Sequence, residues 1–185
     1  AGLWWYFNTT EESLEGSLLN WLARFHVVLV HFPVGLIFLV VALEILSRLR
    51  KSDMGEAIIA TLWLTLIGSI ATTILGFALM GAEEVAGKAM DLHMWTGLAV
   101  VVFSALALVF RLSDSGFLYG TTLALGAISV SAAGHYGGAM VHEADYLAEY
   151  GPDIFKPFIL AGLSDPDAPA DEGKTGEPGG GGEEI

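Results

Sequence analysis

The chain has 185 residues, 54% of them hydrophobic and only 16% charged, with a mean hydropathy of +0.59 and a net charge of −13. A soluble globular domain carries about a quarter charged residues, so this composition excludes one. The chain has no cysteine, which excludes disulfides, thiolate metal sites, a cysteine nucleophile and C-x-x-C-H haem attachment.

Taken in chain order, the first feature is an aromatic cluster, Leu3 to Phe7 (LWWYF), of the kind that sits at lipid headgroup level. The chain begins at Ala1 without a methionine, which fits removal of an upstream leader. Thr10 followed by Glu11, Glu12 and Ser13 reads as a helix start with acids in its first turn. Leu14, Leu18, Trp21 and Leu22 then share one face, so 11–23 is expected to be a short helix lying in the membrane interface. Residues 1–23 together form an N-terminal interfacial segment.

Four apolar runs come next, at 26–47, 57–80, 92–110 and 117–141. Each is long enough to cross a bilayer core, which takes about 20 residues. Their connections are short, so the fold class is all-α: a polytopic membrane protein built as an antiparallel four-helix transmembrane bundle over 24–143, with short interfacial helices. A second interfacial segment is expected over 144–163, where Asp153 to Leu160 (DIFKPFIL) returns to the membrane surface. From Ser164 to Ile185 the composition turns to Pro, Gly, Asp and Glu and reads as a disordered acidic tail or linker.

Four spans put both termini and the 81–91 loop on one side. Arg48, Arg50, Lys51 and Arg111 flank the spans on the other side, against Arg24 and Lys88 on the terminal side. The positive-inside rule therefore places both termini outside, here the periplasmic side of a bacterial cytoplasmic membrane. The outer side then carries 17 acidic and 4 basic residues, and the inner side 4 of each. Such a surface repels nucleic acid and steers a basic soluble partner. Glu44 and Arg48, four apart near the inner interface, suit a structural ion pair. Glycines 68, 76, 120, 126, 134, 137 and 138 suit close helix packing.

All five histidines fall at the outer ends of the spans. His26 and His31 open the first, His93 opens the third, and His135 and His142 close the fourth. An ionisable side chain at membrane depth is costly and by default a functional candidate. With a rise of about 1.5 Å per residue, His31 and His135 match as the deeper pair, and His26 matches His142 or His93 as the shallower. His26 and His31 share a face only if the chain bends, and Pro33 is placed to supply a bend.

Imidazoles facing one another from different helices suit haem iron. Gly35, Gly97 and Gly138 each stand one helical turn from a histidine, where a flat macrocycle needs clearance. The expectation is one or two b-type haems, with Arg24 and Lys88 near enough to meet propionates. Three rivals stay open. A metal site could combine the histidines with Glu83, Glu84, Asp91, Glu143 or Asp145, zinc and copper both accepting imidazole. Chlorophyll could take a histidine ligand, or the histidines could form a structural or proton-responsive cluster. No Ser-His-Asp arrangement or phosphate loop points to a stand-alone enzyme.

The stretches FHVVLVHFPVG (25–35) and GHYGGAMVH (134–142) resemble the signatures of an uncharacterised bacterial four-helix membrane domain. That family carries L-H-P-x-x-V-H-F-P-I-A-L in its first span and G-H-x-G-G-x-x-V in its last; here Val27 replaces the proline after the first histidine. The resemblance covers roughly 24–143 and matches His26, His31, His135 and His93. Some members are joined to cytochrome c domains, which implies membrane electron transfer with a periplasmic cytochrome c, a quinol or other membrane-complex subunits as partners. A cofactor-free structural subunit of a larger complex is the alternative.

Overall fold

A computed structural model describes residues 18–83, 87–142, 146–149, 151–160 and 163. The LWWYF cluster, the first part of the 11–23 helix, Glu84, Glu143, Asp145 and the acidic tail lie outside the described residues. Eight helical segments are described: α1 (Leu18–Ala23), α2 (His26–Leu29), α3 (His31–Arg50), α4 (Gly55–Glu83), α5 (Lys88–Leu112), α6 (Gly116–Val141), α7 (Tyr146–Glu149) and α8 (Lys156–Ile159). Four stretches are long and apolar enough to cross a membrane: Asn20–Arg50, Gly55–Gly81, Lys88–Leu112 and Gly116–Val141. The expected all-α membrane bundle is therefore the observed one, and no strand occurs among the described residues.

The first span begins earlier than the apolar run suggests. α1, α2 and α3 follow one another as a single helical stretch, interrupted at Arg24–Phe25 and at Val30 without leaving right-handed backbone at Phe25 or Val30. Pro33 falls in the first turn of α3, where its missing N–H removes the partner of the Leu29 carbonyl. The neighbouring Val34 N–H reaches the Val30 carbonyl only at 3.4 Å. Pro33 thus falls just after the interruption at Val30.

The turns between spans have local causes. α3 ends at Lys51, which takes the left-handed conformation at φ 51° and closes onto the Ser47 carbonyl. The Asp53 carboxylate then accepts the Gly55 N–H at 2.8 Å where α4 begins. At the opposite end, Gly87 starts α5 with φ 134°, a value that only glycine adopts readily.

The helices pack in a ring, α3 on α4, α4 on α5, α5 on α6 and α6 back on α3, with α5–α6 the most extensive contact. α1 and α2 also lie on α4. Val40, Ile58, Leu62, Ala107, Leu108, Tyr119 and Leu123 fill the end away from the histidines. Ile37, Val100 and Val130, with Val34 and Ala127 against them, form a second layer nearer the histidine end. Thr61, Thr65 and Thr122 are buried but donate to carbonyls of their own helices, so these hydroxyls add no unpaired donor in a water-free setting.

One polar knot sits in the end away from the histidines. Glu44 meets Arg48 at 3.5 Å, as its spacing predicts, and also Arg111 of α5 at 4.0 Å. The Arg111 guanidinium lies 5.5 Å above the Tyr119 ring of α6. Glu44 therefore ties α3 to α5, a role wider than the local pair expected from sequence. Glu44→Ala leaves Arg111 partly buried without its carboxylate and is expected to cost about 1–3 kcal/mol. Thermal unfolding in detergent, followed by circular dichroism, checks this; Arg48→Ala, at the exposed partner, should cost less than about 1 kcal/mol, the worth of a surface ion pair.

Candidate functional site

Four of the five histidines have a ring nitrogen on a backbone carbonyl, and the ring contacts decide which imidazoles meet. His26 Nδ1 donates to the Thr72 carbonyl of α4 at 2.8 Å, and His93 Nδ1 to the Ala133 carbonyl of α6 at 2.8 Å. A carbonyl only accepts, so both Nδ1 atoms carry the proton. In the neutral imidazole this leaves the lone pair on Nε2. The two rings face each other with centroids 6.1 Å apart and planes at 88°.

Both histidines use the same seat. The helix carbonyl that takes Nδ1 is followed four residues later by a glycine, Gly76 after Thr72 and Gly137 after Ala133. A Cβ on Gly76 would come within 2.8 Å of His26 Cε1, and one on Gly137 within 3.1 Å of His93 Cε1. A glycine one turn on thus gives the ring room to reach the carbonyl, strictly so at Gly76 and with a tight fit at Gly137.

Between these seats is an apolar cavity of about 90 Å³, partly open to the surroundings. His26 and His93 line it with Met80, Met90, Met94 and Gly97, and Val34, Val100 and Val130 of the second core layer also border it. Among the described residues no carboxylate, lysine or arginine borders it. The buried Thr72 hydroxyl also borders it and has no hydrogen-bond partner. A buried polar atom of that kind asks for a ligand or a water.

The remaining sequence candidates lie elsewhere. His31 is exposed and bonds the Val27 carbonyl of its own helical stretch at 2.9 Å, on a different face from His26. His135 bonds the Ile159 carbonyl at 2.7 Å and so pins α8 back against the end of α6. Of the expected pairings, the structure brings His26 to His93, one of the two partners expected for it, while His31 and His135 bond carbonyls elsewhere. His142, exposed, caps α6, its N–H on the Gly138 carbonyl. Arg24 and Lys88 are exposed.

The glycines change meaning as well. Gly97 borders the cavity, and a Cβ there would meet nothing within 4 Å. Gly35 and Gly138 also have open space but do not border the cavity. Among the described residues no group of three His, Cys, Asp or Glu side chains converges; of the carboxylates expected at a histidine–carboxylate site, Glu84, Glu143 and Asp145 lie outside the described residues.

Sequence reasoning passed over Thr72, Ala133 and the three methionines. The signal was present. Thr72-x-x-x-Gly76 and Ala133-x-x-x-Gly137 repeat one pattern of small residues, and three of the five methionines fall within Met80 to Met94.

A family model described as "Predicted membrane protein (DUF2231)" matches residues 23–146. The chain belongs to that family. No curated protein and no solved structure matches it. The match spans every described residue of the histidine site, so the seats at Gly76 and Gly137 lie inside the DUF2231 domain.

Gly76→Ala should displace the His26 ring and Gly137→Ala the His93 ring, whereas Gly97→Ala should leave both in place. Nitrogen NMR of the imidazoles reads this directly. The proton on Nδ1 should be lost from the displaced ring alone, and an undisturbed His26 in Gly76→Ala would contradict the seat.

Proposed function

We propose that this DUF2231 chain is an electron-relaying membrane subunit whose redox metal is held between His26 and His93. The supporting observation is the geometry of the ring pair. Imidazole nitrogen binds a metal at about 2.0–2.1 Å, so two imidazoles across one ion have centroids roughly 6–6.5 Å apart. The observed 6.1 Å falls in that range. A ligating histidine also usually donates its other N–H to a carbonyl or carboxylate, and both rings do so.

A b-type haem is one group that such a pair takes. With an imidazole on each side of the iron no position is open, which favours electron transfer over oxygen chemistry. His26 and His93 would hold it, and Gly97 would leave room beside His93. The cavity, about 90 Å³ and partly open, is smaller than a macrocycle, so a haem would also occupy space outside it. A metal ion held by side chains alone is a second reading, favoured by Met80, Met90 and Met94 on the same wall. In both, the helix carbonyls hold the two rings before anything binds.

With the histidine end facing the periplasm, the electron partner would be a soluble carrier such as a cytochrome c, drawn by an acidic surface. The donor would be a membrane quinol or a neighbouring subunit. A cofactor-free structural subunit is the competing outcome, since the same carbonyl bonds also clamp helix to helix.

Elemental analysis and a pyridine haemochrome assay of the purified chain test the proposal. One metal per chain is expected, absent from both His26→Ala and His93→Ala and retained in His31→Ala and His135→Ala. A metal-free chain with unchanged folding would overturn it, and so would a centre lost in His31→Ala and kept in His93→Ala.

A further inference from the structure

We infer that the His26–His93 cavity is a monovalent copper site, with thioethers of Met80, Met90 and Met94 completing the imidazole pair. This rests on the reading of His26 and His93 as ligands and names the ion they hold.

The donor set points there first. The heteroatoms of the side chains bordering the cavity are imidazole nitrogen, thioether sulfur and the hydroxyls of Ser69, Thr72 and Thr73. Thioether is a soft ligand that selects Cu(I), and imidazole suits copper as well. Calcium and magnesium ask for several oxygens, usually carboxylate, and none of the described lining residues is a carboxylate. Structural zinc sites are closed by thiolate, histidine or carboxylate, and only two such ligands are among the lining residues.

Charge points the same way. An ion in an apolar, membrane-embedded cavity pays a desolvation cost that neutral ligands do not offset by charge. That cost rises with the square of the ionic charge, so a site without a counter-charge suits a monovalent ion best.

Size supplies the third constraint. The cavity, about 90 Å³, is smaller than the roughly 150 Å³ of an apolar cavity that holds one benzene ring. It accommodates an ion with its ligand atoms. Methionine has three rotatable bonds and a polarizable sulfur, so the three side chains can close on an ion without moving helices. Met80 comes from the end of α4 and Met90 and Met94 from the start of α5, so the thioethers approach the cavity from two helices.

The test is anaerobic titration of the purified full chain in detergent with Cu(I), against a chromophoric Cu(I) chelator. X-ray absorption of the loaded protein then reads the ligands. One Cu(I) per chain is expected, with nitrogen and sulfur in its first coordination sphere. The triple variant Met80→Leu, Met90→Leu, Met94→Leu conserves volume and should keep the fold by circular dichroism. It should weaken Cu(I) binding by at least ~10-fold, and His93→Ala should abolish it. Full-affinity binding in the triple variant, or a coordination sphere of nitrogen alone, overturns the copper inference and leaves the imidazole pair standing. A haem lost in both His26→Ala and His93→Ala does the same. Binding indifferent to both histidines overturns both readings.

Discussion

The arrangement depends on one constraint: inside a membrane a polar group must find its partner within the protein. An imidazole brought into the bundle has two nitrogens to satisfy. The helix carbonyls of Thr72 and Ala133 already accept within their own helices, yet each has a second lone pair to offer. Reaching it requires the ring to approach the helix surface closely, and the side chain in the way is the one four residues on. Glycine at 76 and 137 removes that obstacle. The result is a histidine fixed at one nitrogen and available at the other, with no second side chain needed to orient it.

This device occurs once in each helical hairpin. His26 opens the first hairpin and is held by α4, its second helix; His93 opens the second and is held by α6. Each ring is thus anchored within its own hairpin and faces the other across the seam between them. The opposite end of the bundle is joined differently. There Glu44 reaches from the first hairpin to Arg111 of the second, and the Tyr119 ring supports the guanidinium. The chain has a charged cross-tie at one end and a pair of facing imidazoles at the other.

The fold was largely legible because four long apolar runs with short connections leave few alternatives in a bilayer. The segregation of all five histidines to one end was legible for the same reason. Their pairing was legible only in part: His93 was one of the two partners expected for His26. Depth along a helix can be read by counting residues, which is how His31 came to be matched with His135. Azimuth depends on how the helix starts, and the interruptions at Arg24–Phe25 and Val30 set it for His26 and His31 in a way no regular period describes. The glycine pattern misled in a related manner. Gly35 and Gly138 lie a turn from histidines in sequence, but the glycines that matter, Gly76 and Gly137, face histidines of other helices. A spacing within one helix cannot show a contact between two.

The chemistry open to the site turns on where the charge of a bound group would be balanced. Among the described residues no carboxylate borders the cavity, and its polar atoms belong to imidazoles, thioethers and hydroxyls. A centre placed there would change its net charge with every electron it gained or lost, with none of these lining groups to compensate. Such a site would favour the redox state of lower charge. Its ligands also belong to two hairpins whose described contacts are apolar packing and the Glu44–Arg111 tie at the far end. A group bridging His26 and His93 would therefore close the seam at the end that lacks such a tie among the described residues, and occupancy of the centre would then be coupled to cohesion of the bundle through the same two imidazoles.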